Sequence, residues 1–261
     1  MLKKYLKIYL HFFKMNILKR MAHRLNFFIV IMVVSFNLAT YIIFIKVIYG
    51  HLNLIAGWDL YHSLLIIASI MIIEWLAWIT CGFMNDLNGR VRTGNLDGFI
   101  VKPIDAQLLV SINRIDPEDS ARFFIAMIVF VYALKHIETP SIAAVVIYAC
   151  LIICAYLIFY SIIVLLNTIS FWVIDIRGLT PLGERLLHIS QYPTDIYTGI
   201  MRTVFSFIIP IAFIATVPAK VLSGWYDWKL VLESFIIAGI FFYASRKFFL
   251  FGLRHYSSAS S

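Results

Sequence analysis

This sequence predicts an all-α polytopic membrane protein with six transmembrane helices, on three observations. Hydrophobic residues fill 62% of the 261 positions and mean hydropathy is +0.88, against about 45–50% apolar in a soluble domain. Only 14% of residues are charged, where a soluble domain carries roughly a quarter, so too little polar surface exists to cover a globule in water. The 22 Lys and Arg flank the apolar runs, which turns the net charge of +8 away from nucleic acid and toward membrane topology. No stretch has globular composition, so residues 1–261 read as one membrane domain.

Residues 1–24 carry seven Lys or Arg. At helical spacing Lys3, Lys7, His11 and Lys14 share one face, and Leu6, Leu10, Phe13, Ile17 and Met21 populate the others. That pattern predicts an amphipathic helix lying at the headgroups, its basic side toward anionic lipid. The apolar run that follows exceeds the ~7–15 residues of a signal peptide and ends in no small-residue cleavage site, so the segment is expected in the mature protein.

The first span is expected over Leu25–Tyr49, long enough for ~30 Å of hydrocarbon. After a connector without Lys or Arg comes a second over His62–Met84. Residues 85–120 then form the longest polar interruption, whose middle reads as a short amphipathic helix broken by Pro103 and followed by another. The third span, Ala121–Leu134, is the shortest, with Arg122 and Lys135 expected to snorkel outward. Glu138, Thr139 and Pro140 turn the chain into the fourth, which continues to Ile174 without Gly or Pro and so projects beyond the bilayer as one tilted helix. Asp175–Gly199 reads as a second polar, cytoplasmic stretch. The fifth span, Ile200–Val217, is interrupted by Pro210. A loop over residues 218–229, with Trp225, Tyr226 and Trp228 as an aromatic belt, leads to the sixth, Leu230–Leu250.

Six crossings put both termini on one side. The termini and the two long polar stretches, counted with the span-end residues beside them (Arg122, Arg202, Arg246 and Lys247), hold 18 of the 22 basic residues, and the opposite side holds Lys46, Lys135, Lys220 and Lys229. The positive-inside rule makes the first side cytoplasmic. The expected location is the prokaryotic cytoplasmic membrane.

The sequence shows no familiar catalytic motif. No Gly-Lys pair exists, so no P-loop does, and no H-E-x-x-H, G-x-S-x-G or C-x-x-C occurs. Cys150 and Cys154 share a helix face without a neighbouring His or carboxylate, which favours packing over a metal. Glu74 is the one carboxylate well inside a span, roughly 15 Å from the cytoplasmic end of its helix, and Asn37 lies at a similar depth. The pair is either a polar element of a translocation path or a hydrogen-bonded contact locking two helices.

The loop is more specific. Arg92-Thr93-Gly94-Asn95-Leu96-Asp97-Gly98-Phe99-Ile100-Val101-Lys102-Pro103 combines glycines, charges of both signs and three consecutive apolar residues that must pack on something. Gly94-x-Leu96-Asp97 followed by Lys102-Pro103 resembles the loop signature of ABC-2 type transporter permeases, in the six-span branch of viologen- and daunorubicin-exporter-like proteins. Tyr192-Pro193-Thr194-Asp195-Ile196-Tyr197-x-Gly199, then Phe207-Ile208-Ile209-Pro210, Ala212-Phe213 and Val217-Pro218-Ala219, is similar to a second block of that branch. Leu187-His188-Ile189-Ser190-Gln191 departs from the apolar-Ala-Arg run expected before it.

The resemblance implies a non-catalytic permease subunit of an ATP-binding cassette transporter, an exporter of an amphiphilic or hydrophobic compound. ATP and Mg would be bound by a separate ATPase subunit, and a second permease, identical or paralogous, would complete the pathway. The coupling helix that docks on the ATPase maps to residues 88–106, with Arg92, Gly94, Asp97, Phe99, Ile100, Lys102 and Pro103 as its contacts. Pro210, Pro218 and Trp225 map to an outer gate. Two other classes compete: a self-sufficient secondary transporter using Glu74 as its proton or ion site, and a membrane scaffold or intramembrane enzyme without familiar motifs.

Overall fold

The computed structural model describes residues 2–21, 24–82, 87–112, 119–173 and 181–256, and the regular elements among these are all helices. Four of them are long and apolar enough to cross a membrane: α2 (Arg24–His51), α3 (Leu60–Cys81), α8 (Ile142–Thr168, extended by a 3-10 turn to Phe171) and α12 (Trp228–His255). The N-terminal segment is helical as expected, α1 (Leu2–Met21). Its Tyr9, Phe12, Phe13, Asn16 and Ile17 form a half-buried stripe at helical spacing, while His11 and Lys14 remain exposed. α7 (Ser120–Leu134) has 15 residues, about 22 Å at 1.5 Å each, and is an apolar helix shorter than the four long ones.

The long helices start where side chains can satisfy the first free amides. Asp59 accepts the His62 amide at 2.8 Å to open α3, Ser141 the Ala144 amide at 3.1 Å to open α8, and Asp227 the Lys229 amide at 2.9 Å to open α12. α3 is central: 61% of its apolar window is buried, against 11% for α2. Leu65, Ile66, Ala68 and Ile73 are fully enclosed, whereas Phe28, Met32, Phe36 and Val47 of α2 face outward. Since lipid is as apolar as these side chains, close packing and interhelical hydrogen bonds must hold the bundle. Ser69 of α3 bonds the Tyr148 hydroxyl of α8 at 3.0 Å, and Thr80 bonds that of Tyr156 at 2.6 Å. α12 lies tightest on the end of α8, where a Cβ at Gly252 would stand 2.5 Å from Phe171 Cδ2 and 2.9 Å from Thr168 Cγ2.

The polar interruption after α3 is folded rather than solvated. It holds α4 (Leu87–Thr93), α5 (Asp97–Ile100) and, beyond Pro103, α6 (Ala106–Ile112); residues 83–86 and 113–118 lie outside the described set. This marks one end of the bundle, the loop end. The other end carries the 52–59 connector and the turn before α8.

Three expectations in the second half need correction. Of the stretch 175–199, read as lying wholly on the loop side, residues 175–180 are outside the described set, and the remainder passes between the two ends. Within α9 (Leu182–Ile189), the Cβ position of Gly183 lies 3.3 Å from Ile163 near the loop end of α8. Twelve residues later Asp195 accepts a hydrogen bond from the Trp58 indole at the far end. Of its polar side chains, Glu184, Arg185 and His188 are exposed, whereas Thr194 is buried and Asp195 is half-buried on its partners.

The expected fifth span, Ile200–Val217, with its interruption at Pro210, takes the form of a bent helix pair. α10 (Gly199–Thr203) runs into a π-helical turn through Ile208, where the Ile209 amide reaches back to the Val204 carbonyl at 2.9 Å. Pro210, which has no amide to donate, breaks the helix. The second arm, 211–222, turns by 68° and ends in α11 (Thr216–Leu222). Both arms start and finish at the far end, because Asp195 precedes the first and Lys220, its ion-pair partner, closes the second.

Finally, Pro218 lies not in a loop but in the first turn of α11, where a missing amide costs nothing. The connector shrinks to residues 223–227. There Gly224 takes φ +73°, a left-handed value that glycine adopts without strain.

Candidate functional site

Three polar clusters string the bundle from end to end. At the loop end, Gly94 at φ +71° reverses the chain between α4 and α5. Leu87, Val91, Leu96 and Phe99 are buried beneath the turn. Phe99 therefore points inward, with the Arg90 guanidinium 4.6 Å and the Lys102 ammonium 5.2 Å from its ring centroid. Phe99, expected among the partner contacts, is thus buried within this chain. The outward apolar pair is Ile100 and Val101, 37% and 80% exposed, flanked by exposed Arg92, Lys102 and Pro103. Asp97 is half-buried in the first turn of α5.

Just beyond, Asp105 caps α6 through the Leu108 amide at 2.9 Å and receives both terminal nitrogens of Arg246 from α12. Burial opposes its charge, but the Arg246 bonds and the cap outweigh that and hold the Asp105 carboxyl below the ordinary value. Arg246 also donates to Gln107 Oε1 at 2.9 Å, Gln107 donates to the Tyr160 hydroxyl at 3.0 Å, and Ser111 meets the same hydroxyl at 3.0 Å. Nothing in the sequence pairs residues 141 positions apart, and this network was not anticipated.

Inside the bundle, Glu74 has a partner other than Asn37. Arg122, at the start of α7, donates to Glu74 and, at 3.0 Å, to Asp119. Arg122 was expected to snorkel outward; it turns inward because two carboxylates await it there. Asn37 lines the same cavity of about 180 Å³, together with Trp78, Phe159, Glu184 and His188. Glu74 lies seven residues from the end of α3, about 10 Å by helical rise, within reach of a long Arg side chain entering from that end. That depth match was the available signal.

At the far end, Asp195 takes the Trp58 indole N–H at 2.9 Å and the Lys220 ammonium at 2.7 Å. Trp225 packs edge-on against Trp58 and stacks on His62 at 4.2 Å, and His62 is held by Asp59 at 2.7 Å. So Trp225 is part of an aromatic cluster with Trp58 and His62, while Pro210 and Pro218 lie in the bent pair. Asp195, Arg202, Lys220, Asp227 and Glu233 border a cavity of about 380 Å³ between the bent pair and the start of α12. The second sequence block thus supplied Asp195, but its partners were not legible.

No group of three His, Cys, Asp or Glu suited to a metal exists among the described residues. Cys150 is exposed and Cys154 buried, both as free thiols. The arrangement is that of a helical membrane bundle with paired charges at its two ends and its middle, and a folded polar element at one end.

No curated protein matches the chain, and no solved structure matches it. The profile of the ABC-2 family transporter proteins matches residues 35–260. That range runs from the middle of α2 to the last residue but one, and takes in the loop, the charged cluster and the bent pair. The chain belongs to the ABC-2 transporter family.

Proposed function

We propose that this protein is the membrane-spanning permease subunit of an ATP-binding cassette exporter of an amphiphilic or hydrophobic compound, powered by a separate ATPase subunit. One observation carries the reading: α4–α6 form a folded element whose exposed tip, Ile100–Pro103, combines apolar and cationic groups while its base is fixed to the bundle through Phe99 and Asp105. Such a tip suits a groove on a soluble partner. The family match supports the reading, and the missing Gly-Lys pair fits ATP chemistry on another chain.

The passages support a six-crossing topology: α2, α3, α7, α8, residues 182–197 and α12, with the bent pair dipping in from the outer side. Arg202 then joins the outer charges, leaving 17 basic residues against 5, so both termini remain cytoplasmic under the positive-inside rule. The exposed apolar face of α2 suits a second permease subunit or lipid. The membrane is taken to be the prokaryotic cytoplasmic membrane.

In this scheme Ile100, Val101, Lys102, Pro103 and Arg92 meet the ATPase, Gly94 and Asp97 shape the turn that presents them, and Phe99 anchors it from below. Trp225 with Trp58 closes the outer end, and Pro210 and Pro218 set the geometry of the hairpin behind it. Glu74 with Arg122 ties α3 to α7 beside the path. A secondary transporter built on Glu74 is disfavoured, since Arg122 already occupies its carboxylate.

The test is affinity capture of the tagged chain from its own membrane with assay of co-eluting ATPase activity. Val101→Asp should abolish capture and leave the chain folded. Wild-type chain eluting without an ATPase would contradict the proposal.

A further inference from the structure

Arg246 on the loop side makes three side-chain hydrogen bonds and plays no part in the contact proposed for the ATPase. It lies nine residues before the end of α12 and joins three elements. It donates to Asp105 at the cap of α6 and to Gln107 within α6, and Gln107 passes the connection to Tyr160 of α8. The Tyr160 ring continues the line in two directions, toward Phe242 of α12 and Tyr156 of α8, each 6.3 Å between centroids. Tyr156 in turn meets Thr80 of α3 at 2.6 Å. Gln107 and Ser111 are 4% exposed and Tyr160 9%, so these bonds are shielded from competing water and the parts they join are constrained to move together.

Asp105 is two residues beyond Pro103, at the end of the exposed tip, and its carboxylate serves both as helix cap and as ion-pair partner. A push on Ile100–Pro103 therefore reaches α12 through one residue. α12 runs from there to the far end, where Asp227 and Glu233 border the outer cavity.

We infer that Arg246 is a positioning residue that transmits displacement of the α4–α6 element into α12 and α8, with Asp105, Gln107 and Tyr160 as its fixed contacts. This rests on the reading of α4–α6 as the ATPase-docking element. Coupling of this kind needs a linked element that both sites bias, and the Asp105–Arg246–Gln107–Tyr160 chain supplies it.

Hydrogen exchange on the intact complex in lipid nanodiscs tests this, comparing the nucleotide-free state with that trapped by ADP and vanadate. In wild type, trapping should slow exchange at 97–105 and change it at 223–233. Asp105→Asn keeps a capping side chain, Tyr160→Phe removes only a hydroxyl, and Arg246→Gln removes the charge. In all three the ATPase should still bind and 97–105 should still be protected, while the change at 223–233 shrinks about fivefold, the low end of a typical coupling. Arg246→Lys should restore part of it. An undiminished change at 223–233 in Tyr160→Phe and Asp105→Asn overturns the inference and leaves the docking reading intact. Wild-type chain that binds no ATPase, or shows no protection at 97–105, overturns both.

Discussion

Arg122 reaches from the start of α7 across to Glu74 of α3, and the two are bonded directly, 48 residues apart in sequence. Both are mostly shielded, at 22% and 14% exposure, and Asp119 shares the guanidinium. Removing the arginine strands two carboxylates, and uncompensated charges of this kind cost about 3 kcal/mol or more. Arg122→Ala should therefore lower the melting temperature in detergent by several degrees. Glu74→Gln should cost much less, because an amide oxygen can still accept from Arg122. Equal losses in the two variants would show that the pair is not what holds α3 to α7.

The Asp195–Trp58 hydrogen bond fixes which residues share an end of the bundle. Single cysteines at Asn53 and Thr198, both exposed, should react with a membrane-impermeant maleimide from the same side. A cysteine at Thr93 should react only from the other. Labelling of Thr198→Cys together with Thr93→Cys would restore the reading of 175–199 as a loop on the cytoplasmic side.

Gly252 sets the closest approach of α12 to α8. A methyl there collides with Phe171 and Thr168, and overpacking of this size costs about 1–3 kcal/mol. Gly252→Ala should lower thermal stability, and Gly239→Ala on the same helix, with open space around its Cβ, should not. Similar melting temperatures for both would count against this packing.

The pH dependence of the Arg246 link follows from Asp105. Its carboxyl is held below the ordinary value of 3.8 in the folded protein, so it contributes stability that is present above that value and disappears as pH falls through the folded one. The melting-temperature difference between wild type and Asp105→Asn should be constant between about pH 5 and 8 and close below about pH 4. A gap that changes between pH 6 and 8 would assign the effect to another group.

Much of this fold was legible because apolar length is a strong signal. The runs around Val34, Ile66, Leu151 and Ile237 announce α2, α3, α8 and α12, and Pro103 and Pro210 mark real breaks. What failed was any inference that treated polarity as exposure. Pro181, Gly183 and Pro193 as breakers made 175–199 look like a cytoplasmic stretch, yet Asp195 within it is bonded to Trp58 and Lys220 of the same chain. Phe99 looked like an anchor for a partner because three apolar residues stand together, and the sequence does not say which one turns inward. Arg90 and Lys102 decide that by covering its ring. Arg122 and Arg246 were read as ordinary flanking charges, since Glu74 and Asp105, which draw them into the bundle, are 48 and 141 residues away.

The central claim is that α4–α6 present Ile100–Pro103 to an ATPase, and the most direct measurement is ATPase capture by the tagged chain and its tip variants. Wild type should bring down an ATPase with measurable turnover. Val101→Asp should lose it at unchanged melting temperature, and Thr198→Asp, at the opposite end, should retain it. An ATPase that stays bound to Val101→Asp, or is absent from wild type under mild extraction, would contradict the account.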